Sequence, residues 1–132
     1  MPMTTKTARL FKSQQIHYLR KSITFADHGK TVEVGVIPAG SQLVKPISGV
    51  AINVAFNGST TNTLDIGPSD DPGTNLWATT LALGTIGFVP IDEVVSNLVA
   101  TDTIVSAAVV STASASAGQG EIIIAYIPDN DL

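Results

Sequence analysis

The chain has no cysteine and only two histidines among its 132 residues. A disulfide framework and a cysteine-ligated zinc site are therefore excluded, and folding in a reducing cytosol is expected. His17 and His28 stand alone, without the HxH, HxxxH or HExxH spacing that would make them metal ligands. Aromatic residues make up 5% of the chain and charged residues 14%. So little charge, with abundant Ala, Val, Ile, Ser, Thr and Gly, argues against disorder and against a long-helix protein. It also leaves little to cover a monomer's surface, so subunits are expected to bury faces against one another. The most apolar runs, residues 104–110 and 122–127, are too short to span a bilayer, and no secretory signal pattern is found, so a soluble protein is expected. No serine sits in a GxSxG elbow, and neither a P-loop nor a GxGxxG follows a strand. No catalytic residue, cofactor or metal site is expected, and the chain reads as a non-enzyme.

What is present is a period of two. In residues 49–67, GVAINVAFNGSTTNTLDIG, Val50, Ile52, Val54 and Phe56 alternate with smaller residues, which sends them to one face of a strand. Residues 57–62 are turn formers, and Leu64 and Ile66 then resume the alternation, so a β-hairpin with Ile52, Val54 and Phe56 buried is expected. Strands are also expected over residues 22–26, over 31–37 with Val32, Val34 and Val36 on one face, and over 42–45. The last should lie at a sheet edge because Pro46 lacks a ladder donor. Residues 76–83 read as a helical turn or an irregular packed segment, and 84–91 as extended. Residues 101–111 and 121–127 read as strands apolar on both faces, hence covered on both sides. About eight strands separated by turn clusters, with no alternating helices, make an all-β chain: an antiparallel β-sandwich, jelly-roll-like. One domain fits the length.

Charge is divided. Residues 1–21 hold Lys6, Arg9, Lys12, Arg20 and Lys21 and no acid, whereas residues 22–132 set Lys30 and Lys45 against all eleven acids. The reading is a basic N-terminal arm over 1–21 and a β-sandwich domain over 22–132. The arm is either extended, with a reach of roughly 65 Å, or one short helix. Leu10, Phe11, Ile16 and Leu19 lie among its charges. Lys6, Arg9, Leu10, Phe11, Lys12, Ile16, Leu19, Arg20 and Lys21 are therefore the candidate protein-binding residues, a solvated tail being the alternative. Binding to nucleic acid ranks last, since the acidic body would repel it. Asp65, Asp70 and Asp71 with Asn75 offer oxygen ligands, but their spacing fits no calcium loop and turn formation accounts for them.

The stretch AFNGSTTNTLDIGPSDDPG, followed late in the chain by SAGQGEIIIAYIPD, resembles small structural proteins of tailed-bacteriophage virions, above all the jelly-roll head decoration, or cement, proteins. The resemblance covers residues 31–128 and leaves the basic arm outside. It implies a homotrimer on the outer capsid surface, bound across neighbouring subunits of the major capsid protein and assembled in the host cytoplasm, with no membrane and no catalytic residue. Similar modules occur in phage necks, tails and fibres, which is the alternative place in a virion. A carbohydrate- or host-recognition sandwich is the rival from another class, but Tyr18, Trp77 and Tyr126 supply few aromatics for it.

Overall fold

The computed structural model describes residues 16–69, 77–92, 98–111 and 115–128. These form ten strands: β1 (His17–Thr24), β2 (Thr31–Ile37), β3 (Ser41–Leu43), β4 (Gly49–Val54), β5 (Asn62–Pro68), β6 (Ala78–Ala82), β7 (Gly87–Pro90), β8 (Leu98–Val99), β9 (Thr103–Ser111) and β10 (Gln119–Ile127). Every pairing is antiparallel. One sheet has the order β2-β9-β5-β6. In the other, β1 runs along one edge of β10, while β4 and β3 lie end to end along its opposite edge. β7 and β8 continue outward from β4 and β3 in the same way. The six strands of this sheet therefore fill four lateral positions, facing the four strands of the other. With its strands distributed between the sheets in this way, the chain is an antiparallel β-sandwich of jelly-roll topology, as its composition and turn spacing led one to expect.

The gap between β3 and β4 is a repaired break in one long strand. Leu43 pairs with Tyr126 and Gly49 with Ile123, so residues 44–48 oppose only two residues of β10. Lys45–Ile47 take up the excess as a 3-10 turn with Pro46 in its first positions. Ser48, fully buried, restores the lost bonding. Its Oγ accepts the Ala125 N–H at 2.9 Å and donates to the Val44 carbonyl at 2.8 Å, while the Val44 N–H donates to the Ala125 carbonyl at 2.9 Å. Hence Pro46 does not mark an edge. It sits in the turn, where no ladder donor is needed, and β3 lies between β10 and β8.

The core between the sheets is built from alternate residues: Val50 and Ile52 of β4, Leu64 and Ile66 of β5, Val105 and Val109 of β9, Ile122 and Ile124 of β10. Phe56 is buried with them, but three expectations from the period of two are corrected. The segment 49–67 is not a hairpin, because β4 and β5 belong to different sheets and residues 55–61 cross from one to the other. Val54 is 42% exposed. Ile52 pairs with Gly120 and Val54 with Gln119, so Asn53 is an extra residue that breaks the alternation. In β2 a similar shift between Glu33 and Gly35 leaves Val34 buried, turns Ile37 inward and puts Val36 outside.

The first strand begins at His17 and ends at Thr24, whereas Phe25 and Ala26, expected to extend it, belong to the 3-10 turn Phe25–Asp27, capped by Thr24 and Asp27. Residues 78–82 are a strand, neither the helical turn nor the irregular segment expected, with Trp77 buried just before it. β8 was not anticipated. Nor is β9 covered on both faces within the chain, since Ile104 and Val110 point away from the core and are exposed.

Candidate interaction surface

The registers place the outer face of the six-stranded sheet residue by residue. One row runs Arg20–Ile123–Gly49–Pro90 and the next Ser22–Glu121–Ala51–Phe88, and Tyr18 stands beside Ala125. Leu98, paired with Gln42, lies on the same face. Tyr18, Phe88 and Leu98, 53%, 45% and 52% exposed, are the large apolar side chains that this face turns to water. Its charged pair is Arg20 with Glu121, 2.6 Å apart across β1 and β10. The hydrogen bond and the opposite charge of Glu121 raise the Arg20 pKa further above its ordinary value. On the opposite sheet Val36, Ile104 and Val110 are also exposed, Val36 and Ile104 as a cross-strand pair.

Of the candidate binding residues, Lys6, Arg9, Leu10, Phe11 and Lys12 lie outside the described residues. Ile16 is 41% exposed just ahead of β1. Leu19 packs half-buried on the core and covers Gly35 of β2, so it faces its own chain. Arg20 is engaged with Glu121, and Lys21 is exposed on the strand. Sequence reasoning missed that residues 17–21 form a strand. Its signal, alternation of Tyr18, Arg20 and Ser22 with Leu19, Lys21 and Ile23, was masked by the two charges.

The loop end of the sandwich shows what the two stretches quoted above encode. Asn57 Oδ1 accepts the N–H groups of Ser116 at 2.8 Å and Ala117 at 3.0 Å, and its Nδ2 donates to Ser116 Oγ at 3.0 Å. Asn62 closes its own loop on Gly58, accepting its N–H at 2.7 Å and donating to its carbonyl at 3.0 Å, and accepts the Ser111 hydroxyl. Gly118 has φ +151°, and a Cβ there would lie 2.6 Å from Phe56 Cγ. The Asn-Gly turn and the late Gly-containing turn are thus two halves of one clamp.

The polar candidates for chemistry serve the fold. Asp65 accepts the Thr80 N–H at 2.8 Å, and Asp70, Asp71 and Asn75 lie outside the described residues. His28 Nδ1 accepts the Ser111 N–H at 3.2 Å, and the His17 ring lies 5.7 Å from that of Tyr126. Among the described residues no group of three or more metal-ligating side chains converges, and no helix is long and apolar enough to cross a membrane.

No family model matches the sequence. No curated protein matches it either. Solved structures do. The fold is similar to a chain of the cyanophage Pam1 capsid asymmetric unit, with a TM-score of 0.62, 19% identity, and coverage of 87% of this chain and 86% of that one. It is also similar to a chain in the acidic stable capsid structure of Helicobacter pylori bacteriophage KHP30, with a TM-score of 0.62, 15% identity, and coverage of 86% of this chain and 89% of that one.

Proposed function

We propose that this chain is a structural protein of a phage virion, a decoration or cement protein that sits as a homotrimer on the outer capsid surface and ties neighbouring shell subunits together. The observation that carries the reading is the whole-chain likeness to two phage capsid structures. The aligned part is nearly the same share of both chains in each pair, so the jelly roll matches most of a chain of similar length. The apolar outer face around Tyr18, Phe88 and Leu98 supports it, because such a face gains most when another protein covers it. The arm contributes further contacts through Leu10, Phe11 and Ile16, with Lys6, Arg9 and Lys12 adding charge. Three linked subunits, each binding modestly, hold a shell by avidity. The test is to mix the purified protein with shells that lack it and follow co-sedimentation and shell melting. Saturable binding with a raised melting temperature is expected; unchanged shells and an empty pellet would refute the assignment.

A further inference from the structure

The sandwich has four lateral edges, and three of them are blunted. The β2 edge is bent by the register shift at Glu33–Gly35. The β6 edge has a register shift opposite it and holds Thr80 at φ +53°. The remaining edge is divided between β7 and β8, four and two residues long, with Pro90 ending β7. These are the devices by which folded proteins stop strangers from adding a strand. β1 has no bend, shift or proline, and its protection is charge alone, Arg20 and Lys21. It pairs with β10 over eight consecutive residues without a shift, contains no glycine or proline, and among the described residues pairs with no strand on its other side. Its alternate backbone N–H and C=O groups, those turned away from β10, form a straight ladder open to another chain.

We infer that the β1 edge is a strand-addition site for an extended segment of another protein, acidic opposite Arg20 and Lys21 and apolar opposite Ile16 and Tyr18. A second copy of this chain fits poorly. Antiparallel pairing of two β1 strands about a central twofold sets Arg20 against Arg20 or Lys21 against Lys21, and like charges directly opposite are destabilising. The other edges of a second copy are too short or too bent to match eight residues. The partner's charge follows from the basic middle of the strand, and its apolar residues from the exposed Ile16 and Tyr18 ahead of it. Main-chain bonds would supply affinity and these side chains the register. This inference rests on the shell-binding reading and names the contact that reading needs, an extended segment of the shell subunit.

Amide hydrogen exchange on the full chain, free and bound to shells, tests it. In the free protein every second amide of β1 should exchange quickly. On shells the same amides should slow by about tenfold or more, as newly paired strand amides do. Lys21→Glu should weaken binding, with the free protein's exchange elsewhere unchanged. Binding with β1 exchange unaltered overturns the inference and leaves the shell-binding reading standing. Protection that grows with protein concentration in the absence of shells overturns it in favour of self-pairing. No binding at all removes both.

Discussion

Replacing Ser48 by alanine removes one oxygen atom, yet the geometry makes it costly. That oxygen is fully buried and completes two bonds, from the Ala125 N–H at 2.9 Å and to the Val44 carbonyl at 2.8 Å. Alanine has the same backbone preferences in an extended cap and leaves almost no cavity, so packing contributes little. What remains is two backbone groups stripped of a partner where the ladder of β10 is interrupted. Leaving a buried polar group unpaired costs roughly 1–3 kcal/mol. Two groups, partly relieved by relaxation of residues 44–48, put the loss at about 2–4 kcal/mol, a large part of a small domain's stability. Urea unfolding should therefore show a lower midpoint with an unchanged slope, and the Ala125 amide should exchange faster. Gln42→Ala, on the exposed face of β3, is the control and should stay within about 0.5 kcal/mol. If Ser48→Ala also stays within about 0.5 kcal/mol with Ala125 exchange unaltered, the hydroxyl is not what joins β3 and β4.

Phe56→Ala should cost roughly 3–5 kcal/mol in the same assay, the usual range for truncating a buried aromatic. Gly118→Ala should destabilise by about 1–3 kcal/mol, because its Cβ meets the Phe56 ring, and the double variant should lose less than the two losses added. Light scattering of the purified protein, alone and on shells, should give a homotrimer; a monomer in both settings at high micromolar concentration counts against it. Deletion of residues 1–15 should leave the circular dichroism spectrum intact but lower shell occupancy, whereas deletion of 1–21 removes five of the eight β1 pairing positions and should also unfold the edge. Within the arm, Leu10→Ala with Phe11→Ala should weaken binding at low and high salt alike, and Lys12→Ala mainly at low salt.

The fold class was legible because alternation survives wherever a strand is regular. Val50, Ile52, Leu64 and Ile66 all face the core as the period of two requires. It failed at Val54 and Val36, where a single extra residue reverses the faces, since a bulge needs no signature beyond one unremarkable Asn or Val. The pairing of strands was less legible still. The Asn-Gly-rich residues 57–62 look like a hairpin turn, but Asn57 bonds Ser116 and Ala117, some sixty positions away, and carries the chain to the other sheet. A turn composition fixes that the chain bends and leaves open which strand it meets next. The grouping of the exposed apolar side chains was hidden for the same reason. Tyr18, Phe88 and Leu98 come from three distant strands, and only the registers with β10, β4 and β3 bring them to one side.

The acidic body also has a different meaning once its carboxylates are located. Asp27, Asp65, Asp92 and Asp102 accept backbone N–H groups of Thr24, Thr80, Thr79 and Ala39, and Glu121 holds Arg20. The excess of acids over bases in residues 22–132 still repels polyanions at long range. At short range, however, these acids already have partners, and a basic arm folding back on its own sandwich would compete with the bonds that pin the loops. Exposed ion pairs contribute little singly and are screened within about 8–10 Å at physiological salt, so charge alone would not hold the arm there. Leu19 is taken by the core and Arg20 by Glu121, while Ile16 is exposed and Leu10 and Phe11 lie outside the described residues. If the arm binds a neighbouring protein, as proposed, Ile16 just ahead of β1 is the described apolar residue exposed for that contact.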